Sequence, residues 1–239
     1  MDYSEVPAPE SLHAVVKSAW TLRTAGVPAD RFRHIATPDG CLEIIRRGAG
    51  RSFWDGEQPS AFVAGPIRRP TELLFSGGAS FVGLRIWPWA WNALSALTSP
   101  QLLDRWAALA DAAPGLEAPR SIEEALALVD PERISAEARS LGRATLAARG
   151  PGSLAARSGC SARRLQRWFA REIGVPPRTY FRMLRFQDAF ADLATAQGSL
   201  ALHAAEHGFA DQAHMAREFR SMAGAPAKLA RCGGRAPFL

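Results

Sequence analysis

Short apolar runs separated by turn-forming residues characterise the first ninety residues of the chain. The runs are rich in β-branched and aromatic side chains, and Gly- and Pro-containing turns bound them, a pattern typical of strands. We therefore predict strands at residues 41–46, 60–64, 72–75 and 80–87. Ahead of these, apolar residues recur at helical spacing between residues 10 and 20, which predicts one early helix there.

After residue 88 the apolar periodicity becomes helical. In the last hundred residues, a turn glycine followed by an N-cap residue and a helix occurs twice, at Gly159 with Ser161 and at Gly208 with Asp211. This duplication predicts two helix-turn-helix units. We predict helices at residues 89–97, 100–110, 122–129, 131–148, 154–157, 162–173, 177–195, 199–207 and 212–223.

These elements predict an α+β protein with two domains. Residues 1–120 form the first, which is mainly β with short helices. Residues 131–239 form the second, which is all α and holds both helix-turn-helix units, with the helix at residues 177–195 joining them.

Charge distinguishes the two parts of the chain. Residues 1–130 carry 12 Lys and Arg against 15 Asp and Glu, whereas residues 131–239 carry 17 against 8. A weakly acidic part joined to a strongly basic one suggests that only the second part binds a polyanion. Charge alone is equally compatible with solvated arginines on helices, so the spacing of the arginines has to decide.

The sequence offers little to suggest a membrane, a metal or a disulfide framework. No run approaches the roughly 18 apolar residues of a membrane span, and the acidic start lacks the order of a secretory signal. The three cysteines, Cys41, Cys160 and Cys232, lie far apart, and only His13 and His34 occur in the first part. We expect a cytoplasmic protein with no metal and no cofactor.

The helices predicted at residues 162–173 and 212–223 each have one apolar and one cationic face. Leu165 and Phe169 share a face of the first, and Met215 and Phe219 share a face of the second. The opposite faces carry side chains suited to guanine and adenine edges and to phosphates. These outward residues are Arg163, Arg164, Gln166 and Arg167 in the first helix, and Gln212, His214, Arg217 and Arg220 in the second.

The last hundred residues also resemble the DNA-binding domain of the AraC/XylS family of transcription regulators. The resemblance rests on the run Leu154-Ala155…Gly159…Ser161…Arg164-Leu165-Gln166-Arg167…Phe169…Gly174-Val175…Pro177…Tyr180…Arg185…Ala189, and on Gly208-Phe209-Ala210-Asp211-Gln212-Ala213-His214…Arg217-Glu218-Phe219-Arg220…Gly224. It implies that the two cationic helices are recognition helices lying in successive major grooves of double-stranded DNA. The connecting helix would be about 28 Å long, near the roughly 34 Å between major grooves one turn apart.

Two features depart from the family pattern. His203 stands where the family usually has a buried aliphatic residue, and we interpret it as a neutral, hydrogen-bonded core histidine. The family's Gly-x-x-Pro is shortened to Gly224-Ala225-Pro226, and the expected Tyr is missing. These differences imply either that the second unit binds more weakly or that it contributes mainly through phosphate contacts.

The first part resembles an uncharacterised module found in some AraC-type regulators. The matching residues are Pro38-Asp39-Gly40…Glu43-Ile44-Ile45, Gly65 and Gly83-Leu84-Arg85-Ile86-Trp87-Pro88. The resemblance implies a cupin-like or half-open barrel that binds a small-molecule effector or mediates dimerisation. Glu43 and Arg85 would face the interior, to bind a polar effector or to pair with each other. Trp87 and Trp89 would line an apolar pocket, or alternatively pack in the core.

The leading hypothesis is therefore a sequence-specific DNA-binding transcription regulator and not an enzyme. Its expected partners are double-stranded DNA and a small-molecule effector, with RNA polymerase and a second copy of the chain as further candidates. One alternative is a small-molecule-binding or enzymatic cupin-like protein with a helical docking domain. Another is an interaction protein that does not bind DNA, for which the outward arginines would have no use.

Overall fold

The computed structural model describes residues 2–24, 32–193 and 198–227 of the chain. In these residues the first part of the chain is mostly antiparallel sheet, and the later part is helical. The strands are β1 (Asp2–Pro7), β2 (Val16–Arg23), β3 (Phe32–Ala36), β4 (Leu42–Ala49), β5 (Ser52–Phe53), β6 (Ala61–Ala64), β7 (Thr71–Phe75), β8 (Ser80–Ile86) and β9 (Trp106–Ala108). The helices are α1 (Pro88–Trp91), α2 (Leu109–Ala112), α3 (Ile122–Ala127), α4 (Ala136–Leu146), α5 (Pro151–Ser158), α6 (Ala162–Glu172), α7 (Pro177–Leu193), α8 (Leu200–Glu206) and α9 (Gln212–Ala223).

Two antiparallel sheets organise the first part. The larger has the strand order β1-β2-β8-β4-β6-β9, and the smaller has the order β3-β7-β5. In the larger sheet β8 lies between β2 and β4, and this register places Arg85 opposite both Ser18 and Glu43. Trp20 lies opposite Gly83, where a Cβ atom would overlap the indole ring, so a glycine is needed at that position. The mainly β expectation for this part is confirmed.

The helix predicted at residues 10–20 is wrong. Only Glu10–Leu12 forms a single 3₁₀ turn, and the following residues are the strand β2. Strand β2 is paired on both sides, with β1 and with β8, and Val16, Ala19 and Trp20 are all buried. Both faces of a central strand can be apolar when both are covered, and the resulting run imitates a helical pattern. Here α3 covers one face of β2 and β8.

The helix predicted at residues 100–110 is also wrong. The chain forms a 3₁₀ turn at Ser99–Leu102, then the edge strand β9, and only then the short helix α2. Asp104 lies between the 3₁₀ turn and β9. Its φ of 57° is incompatible with a continuous right-handed helix. Strand β9 pairs with β6 and completes the edge of the larger sheet.

The helical part follows its predicted elements closely, and one continuous core joins it to the sheets. Trp89, which follows β8, stacks on Trp87 and contacts Trp168 of α6 and Tyr180 of α7. Its indole N–H donates to the carbonyl oxygen of Ala14 at 2.7 Å. Helix α4 passes so close to this ring that a Cβ atom at Gly142 would overlap it. The tryptophan therefore fixes the position of the helices relative to the sheet.

Candidate DNA-binding surface and ligand cavity

Helix α6 presents a cationic surface opposite its buried residues. The helix begins at Ser161, whose hydroxyl accepts a hydrogen bond from the N–H of Arg164 at 3.3 Å. Leu165, Trp168 and Phe169 are buried beneath it. The predicted DNA-contacting residues of this helix all lie on its exposed side: Arg163, Arg164, Gln166 and Arg167.

Arg164 forms an ion pair with another helix. Its Nη2 atom lies 3.0 Å from Glu137 of α4, and both side chains are more than half exposed. Exposed pairs of this kind contribute little to stability, so the guanidinium can exchange Glu137 for a phosphate at small cost.

Helix α9 repeats the arrangement. Asp211 caps its N-terminus, accepting a hydrogen bond from the N–H of His214 at 2.6 Å. Met215, Phe219 and Met222 are buried. Of the predicted contact residues, Gln212, Arg217 and Arg220 are exposed. His214 is half-buried, because its ring packs edge-on against Phe209 and its Nδ1 atom accepts from the N–H of Ala210 at 3.3 Å.

A two-point ion pair fixes α9 to the connecting helix α7. Nε and Nη2 of Arg182 donate to the two carboxylate oxygens of Glu218 at 3.0 and 3.1 Å. Arg185 of α7 places its guanidinium 5.2 Å from the ring centre of Phe209, in the turn before α9. His203 of α8 is buried, and its Nε2 atom lies 2.9 Å from the carbonyl oxygen of Ala189 in α7. The interpretation of His203 as a hydrogen-bonded core residue is confirmed.

A cavity of about 470 Å³ lies in the sheet-rich part of the chain. Strands of both sheets line it, and α7 supplies a further part of the wall through Gln187, Asp188, Phe190 and Ala191. Its volume falls within the range of small-molecule sites. Aromatic residues form its apolar region: Trp20, Trp54, Phe62, Phe75 and Phe81.

Arg85 occupies the polar end of the cavity and is surrounded by carboxylates. Its Nε atom lies 2.6 Å from Glu43 and 3.3 Å from Asp39, and its Nη1 atom lies 2.8 Å from Glu5. The Nη1 atom also donates to the Tyr3 hydroxyl at 3.2 Å. The structure therefore pairs Glu43 with Arg85, one of the two arrangements expected from the sequence, and places both beside the cavity.

Two carboxylates of this cluster have pKa values shifted in opposite directions. Burial works to raise the pKa of Glu5, but the charge of Arg85 and hydrogen bonds from Ser18 and Tyr3 outweigh it and lower that pKa to about 2. Burial raises the pKa of Glu43 despite the same arginine. Burial also raises the pKa of the neighbouring Cys41 thiol well above its usual range, so this thiol is a poor nucleophile.

We expect Glu5 to stabilise the fold at neutral pH and to lose this contribution in acid. Its pKa falls from 4.5 in the unfolded chain to about 2 in the folded one. The contribution is therefore fully present above about pH 5 and disappears as the pH falls toward 2. It amounts to about 3 kcal/mol at neutral pH. Urea unfolding of the wild type and of Glu5→Gln should differ at pH 7, and by less than about half as much at pH 3. A difference that is the same at both pH values would contradict the assignment.

Trp87 and Trp89, predicted to contact an effector, lie outside the cavity lining. Both indole N–H groups are used within the fold, that of Trp87 donating to the carbonyl oxygen of His13 at 3.0 Å. The two rings stack on each other at 5.5 Å between centroids and form part of the core that joins sheet and helices. The core-packing alternative describes them correctly.

The structure instead places in the cavity wall Trp20 and Trp54, which belong to the six tryptophans of the first part but were not among the predicted site residues. For Trp20 the only signal in the sequence was Gly83, an isolated glycine inside a predicted strand, which indicates the close approach of another group. That this group is Trp20 follows from the observed register. For Trp54 no such signal exists, since its position depends on how the small sheet and β9 meet. There the Trp106 indole N–H donates to the carbonyl oxygen of Trp54 at 2.7 Å.

Comparison with protein-family models identifies both parts of the chain. Residues 154–231 match a helix-turn-helix domain. This range holds both capped cationic helices and the connecting helix between them. The C-terminal part is an AraC-type helix-turn-helix domain. Residues 4–107 match a domain of unknown function, DUF6597. With an AraC-type domain, the chain is a DNA-binding transcription regulator.

Solved structures share the fold of this chain. A 1.65 Å structure of ToxT from Vibrio cholerae is 12% identical with a TM-score of 0.51, covering 90% of this chain and 98% of that chain. Unsaturated fatty acid bound wild-type ToxT from Vibrio cholerae strain SCE256 is 11% identical with a TM-score of 0.45, covering 90% of this chain and 94% of that chain. At such identities the likeness concerns the fold alone. A comparison with curated proteins found no match.

Neither a membrane-spanning helix nor a metal-ligand cluster occurs in the part of the chain that the structure describes. Among residues 2–24, 32–193 and 198–227, none of the helices combines the length and apolar character needed to cross a bilayer. Within the same ranges, His, Cys, Asp and Glu side chains nowhere form a group of three suited to hold a metal ion.

Proposed function

We propose that this regulator binds two adjacent major grooves of one DNA duplex through α6 and α9, and that a small molecule in the cavity controls this binding. The proposed DNA binding rests on four exposed arginines that lie opposite buried apolar faces. They are Arg163 and Arg167 on α6, and Arg217 and Arg220 on α9. Arginine is the side chain best suited to guanine edges and phosphates in the major groove. Gln166 and Gln212, which are also exposed, add donors and acceptors suited to adenine.

We expect Arg167→Ala and Arg217→Ala each to weaken specific DNA binding by about 1–3 kcal/mol, roughly 5- to 150-fold. Both side chains are exposed and away from the core, so the folded state should be unaffected. The measurement is a mobility-shift titration with a duplex enriched from a random-sequence library by the wild-type chain, at one fixed salt concentration because phosphate contacts are salt-dependent.

Arg33→Ala is the matched control. It removes the same charge from β3, where Arg33 pairs with Glu72 on an exposed surface. We expect it to bind the duplex nearly as tightly as the wild type does. Undiminished affinity in the Arg167→Ala, Arg217→Ala double variant would defeat the proposed use of both helices.

The cavity is suited to control DNA binding because α7 belongs to both sites. This helix lines the cavity and joins the two helix-turn-helix units. It also binds the loop that leads into β4: the Tyr180 hydroxyl donates to the carbonyl oxygen of Gly40 at 3.0 Å, and the Gln187 amide donates to that of Pro38 at 2.8 Å. Asp39 lies between Pro38 and Gly40 in this loop, and its carboxylate faces Arg85 in the cavity.

The two units are attached to the sheet-rich part in different ways. The C-terminal end of α6 is fixed directly, because the Asn92 amide donates to the backbone carbonyl and side chain of Glu172 at 3.1 and 2.8 Å. The second helix-turn-helix unit contacts α7 through the ion pair between Arg182 of α7 and Glu218 of α9. A ligand that shifts α7 would thus move α9 relative to α6, and the two helices would no longer match adjacent grooves equally well.

A further inference from the structure

We propose that the effector is a cation, namely an apolar and preferably aromatic body that carries a primary amine directed at the carboxylates around Arg85. This inference rests on the proposed function of the cavity as an effector site. It adds the sign of the ligand's charge, which follows from the residues that line the cavity.

Acidic groups outnumber basic ones in the described lining. Glu5, Asp39, Glu43 and Asp188 supply carboxylates, and Lys17 and Arg85 supply cations. The guanidinium of Arg85 is already shared among three of these carboxylates. An anionic ligand would have to displace one of them, whereas a cation adds a counter-charge that the cluster lacks.

The other cation is directed away from the carboxylate cluster. The ammonium of Lys17 lies 5.9 Å from the ring centre of Trp87, a residue outside the cavity lining. His34, the histidine of the lining, stacks on Phe75 at 5.7 Å. Lys17 also acts to lower the pKa of Glu5, where it is the last of the named influences, and that of Asp188, where burial raises the pKa and Lys17 is the largest effect of a charge.

Acceptor atoms without a hydrogen bond point to the same ligand class. Oε1 of Gln58 is buried in the cavity lining without a hydrogen-bond partner, and Oδ2 of Asp39, which forms an ion pair with Nε of Arg85 at 3.3 Å, accepts no hydrogen bond. A primary ammonium has three donors and no acceptor, so it can satisfy such atoms. The indole N–H of Trp20 is also buried without a partner and suits an acceptor atom, such as a hydroxyl, on the ligand body.

The remaining walls suit a flat apolar body. Trp20 and Phe62 belong to the larger sheet and Phe75 to the smaller, and Tyr3 stacks beside Trp20 at 6.2 Å between centroids. Aromatic faces also attract a cation when water is excluded. An amine with one or two rings fits a volume of about 470 Å³.

Titration calorimetry on the full chain with three matched probes tests the proposal. The probes are 4-(naphthalen-1-yl)butan-1-amine, the corresponding alcohol and the corresponding carboxylic acid, which share one body and differ in charge. We expect the amine to bind at least about ten times more tightly than the alcohol, and the acid to bind more weakly still.

Charge-removing variants locate the bound amine. Glu5→Gln, inside the cluster, and Asp188→Asn, on α7, should each weaken amine binding at least about five-fold and leave the alcohol nearly unchanged. Because Asp188 is exposed, its substitution does not disturb the core, and this variant remains informative if Glu5→Gln fails to fold. Glu10→Gln is the control, because it removes the same charge from an exposed residue outside the cavity lining.

Several results would overturn the cationic-ligand proposal: tighter binding of the acid, equal binding of amine and alcohol, or no binding of any probe. DNA binding is measured on the same preparations with the selected duplex. If the duplex binds and depends on Arg167 and Arg217, the DNA-binding function stands whatever the probes do. If the amine binds without changing duplex affinity, the ligand class stands and control through α7 fails.

Discussion

Replacing Arg85 with methionine is expected to lower the free energy of unfolding by about 3–5 kcal/mol. The arginine is buried and forms ion pairs with Glu5, Asp39 and Glu43. Methionine has a similar length but no charge, so the change would leave three carboxylates crowded together without their shared cation. Urea unfolding followed by tryptophan fluorescence measures the loss.

Arg33→Met is the matched control for this loss. Arg33 pairs with Glu72, but both side chains are largely exposed. Exposed pairs contribute about 0–1 kcal/mol, and the control should change stability by no more than that. A loss below about 1 kcal/mol for Arg85→Met would show that the carboxylates do not depend on the arginine.

Replacing Trp89 with alanine is expected to cost a similar 3–5 kcal/mol. The ring is 1% exposed and contacts Trp168 and Tyr180, so its removal leaves a large hole between the sheet and the helices. Because this contact positions α6, we also expect specific DNA affinity to fall. Urea unfolding and the duplex titration measure the two effects separately.

Trp89→Phe separates packing from hydrogen bonding at the same position. Phenylalanine keeps an aromatic ring but cannot donate to the carbonyl oxygen of Ala14. We expect it to lose about 1–2 kcal/mol, less than the alanine variant does. Equal losses for the two variants would mean that packing of the ring contributes little.

Local patterns were sufficient to predict the helical part. The turn glycines and N-cap residues that begin α6 and α9 act within a few residues, and the structure has α9 at the predicted bounds. Their exposed and buried faces follow from helical periodicity alone. The predicted helix at residues 177–195 is described as far as Leu193, and its last two residues lie outside the described residues.

The sheet-rich part was harder to predict because its structure depends on distant pairings. Residues 10–20 looked helical since both faces of β2 are buried, which only its neighbours β1, β8 and α3 determine. The pairing of Glu43 with Arg85 could be predicted, because each residue lies in a strand that the sequence pattern indicates. That Asp39 and Glu5 join them depends on a loop and an edge strand whose positions no local pattern defines.

Tryptophan content illustrates the same limit. Six of the seven tryptophans lie in the first 130 residues, and composition alone does not distinguish a ligand wall from a core. Trp87 and Trp89 belong to the core beside the helices, whereas Trp20 and Trp54 line the cavity. The participation of α7 in the cavity wall depends on how the helices pack against the sheets, so it emerged only from the structure.

Dimethyl sulfate interference on the selected duplex tests most directly whether α6 and α9 occupy adjacent major grooves. Methylation of guanine N7 blocks contacts in the major groove. We expect two clusters of interfering guanines about one helical turn apart, with Arg167→Ala removing one cluster and Arg217→Ala the other. A single cluster, or two clusters that both variants leave unchanged, would contradict the binding of DNA by this pair of helices.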